Sequence, residues 1–174
     1  MSPDTAPPRP PLLHAGLTDR LLAVFYRAYN ELGGGFAESV YANAYAIALG
    51  EAGIPFEREA TITIEFRGRA VGSGRPDFIV AGAVIVECKA VKSLDDWHLS
   101  QALHYLRASG LPVALLLNWG PRAGFKRVVL EKGPRTTADD RGSDRWRGEW
   151  IDGARAPAAA RIAGMSPDTA PPRP

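Results

Sequence analysis

The chain has a single cysteine, Cys88, so no disulfide can form within it, which suits a reducing compartment. It lacks any apolar run approaching the roughly 20 residues a membrane-spanning helix needs. The stretch Met1 to Pro11 is proline-rich and has no apolar signal core. These absences predict a cytoplasmic protein with no membrane association. Charge of one sign is also scarce: 21 basic residues against 19 acidic leave a net +2. That total does not assign a nucleic-acid partner, because a local basic face matters more than the sum. Zinc-ligand spacing, a nucleophile elbow and an RNA-binding aromatic motif are all missing. His98 and His104 are six apart, which does not place both on one helix face, and His14 falls near the expected tail. Gly33-Gly34-Gly35 precedes a helix but lacks the Gly-Lys-Ser/Thr of a phosphate loop, and it reads as a plain loop.

What is present is enough for one domain. The 174 residues are 45% hydrophobic, the composition of an ordinary globular chain with a real core. The decamer Met1 to Pro10 recurs unchanged as Met165 to Pro174. It is too short to be a structural repeat, and it reads as an artefact of sequence assembly or a neutral duplication. The expected organisation is a disordered proline-rich tail over 1–12, an ordered domain over 13–131, and a mostly disordered tail over 132–174 with a short docked piece around Trp146 to Ile151.

Within the domain, Thr18 is a plausible N-cap for a helix carrying Leu21, Leu22, Phe25, Ala28, Tyr29 and Leu32 at helical spacing. A second helix is expected over Ala37 to Glu51, with Val40, Tyr41, Ala44, Ile47 and Ala48 as its apolar stripe. Thr61 to Phe66 and Arg69 to Gly72 read as strands around a turn at Arg67-Gly68. A hairpin follows over Asp77 to Lys89, then a helix over Asp95 to Ser109 with Gly110 at its end. Pro112 to Asn118 reads as a strand buried on both faces, and Phe125 to Leu130 as the last strand. This order predicts an α/β fold with helices around a mixed sheet.

The hairpin carries the chemistry. Asp77, Glu87 and Lys89 are set into the apolar runs Phe78 to Val80 and Val84 to Val86. Charges in apolar strands are costly unless paired, hydrated or metal-bound. Glu87 and Lys89 share a face by alternation, and Cys88 points oppositely. The position of Asp77 depends on the turn. Two residues at Ala81-Gly82 would set it against Val86, whereas three, Ala81-Gly82-Ala83, would set it against Glu87. In the second register, two carboxylates and a lysine gather on one face. Magnesium takes hard oxygen ligands, and one or two protein carboxylates suffice because the ion keeps its waters. The backbone carbonyl of Cys88 is a further oxygen donor. The plain alternative is an edge hairpin whose Glu87 and Lys89 form a surface pair. Arg58, Arg67, Arg69, Arg75, Lys92, Arg107, Arg122, Lys126 and Arg127 are scattered through the domain, most of them as solvated charge and some as groove contacts for phosphates.

Pro76-Asp77 with Glu87-Cys88-Lys89 resembles the motif of the PD-(D/E)XK nuclease superfamily. Gly35-Phe-Ala-Glu38-Ser-Val-Tyr41 is similar to the signature of the GxxExxY family within it. Gln101-Ala-Leu-His-Tyr105 resembles the QxxxY helix motif of many such nucleases, and Asn118-Trp-Gly120 the end of a late apolar strand. The resemblance implies a restriction-endonuclease-like core and a nuclease that cuts DNA with Mg²⁺, for which Mn²⁺ would substitute. It implies Asp77, Glu87, the Cys88 carbonyl and Glu38 as metal ligands, Lys89 as the catalytic lysine, and Gln101 as a residue orienting Lys89, water or phosphate. Tyr41 and Tyr105 would be secondary, packing beside the site. Nucleases of this fold often pair to cut two strands, so monomer and homodimer both stay open. The rival reading is a nuclease-like module that binds nucleic acid or a protein without cutting.

Overall fold

A computed structural model describes residues 13–130 and 146–149. The first helix, α1, spans Ala15–Leu32, starting one turn before a Thr18 cap would allow. His14 takes the cap position in a left-handed conformation, while Thr18 lies inside the helix and donates its hydroxyl to the Ala15 carbonyl at 2.9 Å. A helix-interior threonine commonly satisfies itself this way. Helix α2 spans Glu38–Glu51 and buries Tyr41, Ala42, Tyr45 and Leu49. The expected stripe is thus only partly right, because Val40 and Ile47 are exposed. The alanine-rich helix is apolar nearly all round, so apolarity does not choose a face. The tyrosines do, because their hydroxyls find carbonyls: Tyr45 donates to Leu21 at 3.0 Å and Tyr41 to Gly33 at 3.1 Å.

The strands follow as β1 (Phe56–Arg58), β2 (Ile62–Phe66), β3 (Arg69–Gly74), β4 (Phe78–Val80) and β5 (Val84–Lys89). After helix α3 (Asp96–Ser109) come β6 (Val113–Asn118), β7 (Gly124–Leu130) and β8 (Trp146–Glu149). One mixed sheet has the order β1-β4-β5-β6-β7-β8, and β2 and β3 form a separate hairpin. Every neighbouring pair is antiparallel except β5 and β6, which run parallel with α3 as the crossover. The α/β class and the mixed sheet flanked by helices are as the sequence predicts. One strand was not foreseen, β1 at one edge; β8, at the other edge, falls where a short docked piece was expected around Trp146 to Ile151. The terminal decamers and the rest of 132–174 lie outside the described residues. Among the described residues, no helix is long and apolar enough to cross a membrane.

Alternation along β5 and β6 divides the core into two layers. Val84, Val86, Cys88, Val113, Leu115 and Leu117 pack with α1 and α2. Ile85, Ala114 and Leu116 pack with Ala102 and Leu106 of α3 and with Ile62 of the hairpin. Helix α3 starts where Asp95 and His98 cap each other's backbone and stops at Gly110 in the left-handed region.

The ends of β5 and β6 are lashed together just where the hairpin's charges lie. The Trp119 amide donates to the Lys89 carbonyl at 2.6 Å. Asn118 Oδ1 accepts from the amides of Val91 and Gly120, both at 3.1 Å. Trp119 is buried, stacked on Tyr41 at 5.0 Å and met edge-on by Phe25 at 4.7 Å. A Cβ on Gly120 would stand 1.8 Å from the Val91 carbonyl oxygen, so only glycine fits. Gly120→Ala is therefore expected to cost about 3 kcal/mol, the upper range for overpacking a rigid site. Urea unfolding of the variant and the parent checks this, and an unchanged midpoint would refute the close approach.

Candidate active site

The hairpin turn decides whether the charges meet. Ala81 and Gly82 both take positive φ, 50° and 61°, and the Ala83 amide donates to the Val80 carbonyl at 3.0 Å. The ladder pairs Phe78 with Val86, Ile79 with Ile85 and Val80 with Val84. Three residues thus lie in the loop, and one step further along the same register Asp77 stands opposite Glu87. The alternative that sets Asp77 against Val86 is not adopted.

Where the ladder ends, the two carboxylates take over its bonding. The Asp77 amide donates to Glu87 Oε1 at 3.2 Å, and the Cys88 amide donates to Asp77 Oδ2 at 2.7 Å. The Cys88 amide thus points toward the β4 edge. A strand residue's N–H and C=O face the same edge, so its carbonyl points toward Asp77 as well. The Cys88 side chain is fully buried on the opposite layer, and burial pushes its thiol up. It serves as a small core residue.

Lys89 closes the cluster from the same strand. Its Nζ donates to Glu87 Oε2 at 3.0 Å and lies 3.8 Å from Glu38 Oε1. Glu38 is the first residue of α2, at the positive end of that helix. Tyr41, one turn on, clamps the approach to the helix: its hydroxyl accepts from the Phe36 amide and donates to the Gly33 carbonyl, both at 3.1 Å. The structure thus brings Asp77, Glu87, Lys89 and Glu38 together, with Tyr41 as a fastener.

Gln101 stands differently. Its Nε2 reaches the Tyr105 hydroxyl at 3.2 Å, not Lys89, and that hydroxyl donates to the Arg75 carbonyl at 3.3 Å. The pair holds the chain two residues before Asp77. One neighbour escaped the sequence reading. The Glu59 amide donates to the Asp77 carbonyl at 3.1 Å, and its charge, with that of Arg58, acts on Asp77. Both sit at the end of β1, a three-residue edge strand whose apolar content is too small to announce it.

Burial governs the electrostatics. Glu87 is only 2% exposed, and desolvation first, then the Asp77 charge, lift its carboxyl to about 7 against the pull of Lys89. Burial also raises Asp77. Burial alone would lower Lys89, but Glu87, Glu38 and Asp77 together raise it. One buried and one half-buried carboxylate answered chiefly by one ammonium leave negative charge under-compensated, the condition that a divalent cation relieves. Among the described residues, no three acidic, histidine or cysteine side chains are already gathered closely enough to hold an ion. The donor set nevertheless fits a hard cation that keeps its waters: Asp77 and Glu87 as carboxylate oxygens, the Cys88 carbonyl beside them, and Glu38 across the rim.

The family model described as the PD-(D/E)XK nuclease superfamily matches residues 15–128. No curated protein and no solved structure matches the chain.

The raised Glu87 carboxyl has a measurable consequence. A folded-state value above the unfolded one favours folding while the group is protonated, and that advantage disappears as pH rises from the unfolded value of 4.5 through about 7. In EDTA, Tm is expected to fall between pH 5 and pH 8, with Glu87→Gln flattening the fall. Added Mg²⁺ or Mn²⁺ should raise Tm more at pH 8 than at pH 5.5, because the ion binds the ionised form. Thermal unfolding across that range with and without metal checks both; a metal shift that is the same at both pH values would count against these ligands.

Proposed function

The chain belongs to the PD-(D/E)XK nuclease superfamily, and we propose that it is a metal-dependent nuclease hydrolysing DNA phosphodiester bonds. Within the superfamily we place it in the GxxExxY family, on Gly35, Glu38 and Tyr41. The observation that carries the reading is the hairpin register, which sets Asp77 and Glu87 face to face with Lys89 beside them.

Asp77, Glu87 and the Cys88 carbonyl would hold Mg²⁺, with Glu38 reaching it directly or through water, and Mn²⁺ would substitute. The bound ion supplies Lewis-acid polarisation of the phosphodiester and a lowered pKa for a coordinated water. Lys89 keeps its proton in this setting, which suits it to hold the attacking water or to stabilise charge on the phosphoryl oxygens. Its position between Glu87 and Glu38 aims the ammonium into the acidic cluster. Gln101 acts through Tyr105 as a positioning residue, fixing the Arg75–Asp77 segment so that the Asp77 carboxylate stays in register.

The test is a cleavage assay of the purified protein on linear, nicked, single-stranded and branched DNA with Mg²⁺, Mn²⁺ or EDTA. Cutting is expected with either metal and not in EDTA. Lys89→Ala should lower kcat roughly 10²- to 10³-fold, the usual loss for one charge-stabilising donor. Metal-dependent cutting by the parent that survives Glu87→Gln would remove Glu87 from the site. Folded protein that binds DNA and cuts none of these substrates would favour the non-cutting module instead.

Tyr105→Phe separates positioning from catalysis. It deletes the hydroxyl that bonds the Arg75 carbonyl while keeping the ring on Gly74, so the fold should lose only about 1 kcal/mol. Activity is expected to drop roughly tenfold, since small misplacements of a catalytic group are costly. Parallel measurement of Tm and kcat checks the split.

A further inference from the structure

The β2–β3 hairpin forms a sheet of its own, and most of its large apolar residues face solvent. Ile62 is buried under α3, but Ile64, Phe66 and Val71 are 40%, 61% and 62% exposed. Ile62, Ile64 and Phe66 share one face by alternation. The register skips between Ile64–Gly72 and Glu65–Ala70, so Val71 is the extra residue of a bulge, a device that re-aims side chains beside active sites.

The turn is as informative. Arg67 and Gly68 both take positive φ, 52° and 73°, the pattern of a tight hairpin turn that favours Asn or Asp in the first place. An arginine there goes against the local preference. Its guanidinium lies 5.1 Å from the centre of the Phe66 ring, holding one face of the ring and leaving the side chain largely open. Arg69 pairs directly with Phe66 across the ladder. From Thr63 to Arg75 there are three arginines and one acid, Glu65. The hairpin is therefore a cationic arm with an exposed aromatic near its tip.

The base of the arm is fixed to the candidate site. Gly74 lies under the Tyr105 ring, where a Cβ would come within 2.5 Å of Cε1. Tyr105 then bonds the Arg75 carbonyl, and Asp77 follows two residues on. A polymer bound at Asp77 thus meets an arm rooted in the same segment.

We propose that the β2–β3 hairpin grips an unpaired strand of the DNA substrate, Phe66 stacking on a base while Arg67 and Arg69 hold phosphates. The inference rests on the nuclease reading and adds the strand contact to it. Exposed aromatics interleaved with cations are what a single strand recognises, because every base has a stacking face and every linkage a charge. The same cations disfavour the main rival occupant, a second copy of the arm, since like charges would face each other across the pairing.

The test uses the full chain and a short fluorescein-labelled DNA strand with phosphorothioate linkages that resist cutting, followed by anisotropy in EDTA and in Mg²⁺. Phe66→Ala and Arg67→Asn are each expected to weaken binding roughly tenfold, within the range for one stacked base. Arg67→Asn suits the turn better than arginine does, so it should fold at least as well. It should also reduce the salt dependence, the slope of log K against log salt falling by about 0.7. The metal-induced Tm shift should be unchanged in both. If the parent binds or cuts DNA and both variants bind as it does, the arm is overturned while the nuclease reading stands. Loss of self-association in the variants without loss of DNA binding would likewise overturn it, in favour of a second copy. A parent that neither binds the strand nor responds to metal overturns the nuclease reading and the arm with it.

Discussion

The site depends on a three-residue loop. Because the side-chain period of a strand is two, removing one residue between Val80 and Val84 would carry Asp77 to the opposite layer from Glu87. The loop reaches its length with positive φ at both Ala81 and Gly82, the first of which costs roughly 1 kcal/mol for a residue with a Cβ. That cost is small against what the register secures. Past Phe78 the two strands no longer exchange backbone bonds as a ladder. Each carboxylate instead caps an amide of the facing strand, Glu87 that of Asp77 and Asp77 that of Cys88. The same groups that terminate the sheet therefore make up its chemistry.

This double role explains the electrostatic character of the cluster. A surface pair of Glu87 and Lys89 would titrate near ordinary values and contribute little. Here the surrounding layers exclude water from Glu87, and the second acid beside it adds repulsion. Removing the partner of a buried charge is more costly than losing a surface ion pair. The cluster is thus held in a state that a cation or a proton would relieve, and the lashing at Asn118, Trp119 and Gly120 keeps the strand ends from spreading to relieve it by solvation.

Much of this was legible in the chain. Alternation placed Glu87 and Lys89 together, the continuous apolar run over Val113 to Asn118 marked a strand covered on both faces, and Asp95 and Gly110 bracketed α3. The turn could be narrowed to two lengths, and the three-residue one was expected because it gathers the charges on one face, although its glycine sits in the middle of the loop. The face of α2 was misjudged because alanine-rich apolarity has no direction, and only hydroxyl partners on distant carbonyls supply one. β1 is a short edge strand that owes its form to pairing more than to its own residues. The resemblance, through the QxxxY pattern, implied a site role for Gln101. Its bond to Tyr105 depends on where the Arg75 carbonyl lies, which no local pattern reports.

The topology also sets an order of events for folding. The β4–β5 hairpin closes a loop of three residues, whereas the parallel neighbour of β5 is 29 positions downstream, Val84 meeting Val113 across α3. Local hairpins form in about 1–10 μs, and non-local parallel pairings are slower because chain closure precedes their reward. On a growing chain, Asp77 and Glu87 can therefore face each other before α3 and β6 have emerged. At that stage the far edge of β5 has no neighbour, and its unpaired backbone is the kind of strand edge that recruits wrong partners. Docking of β6 ends that exposure, and α3, the crossover that leads to it, covers the face that Glu87 shares with Ile85. The desolvation that sets the acid's character is thus the last element of the site to arrive, and it is tied to the closure that protects the chain from aggregation.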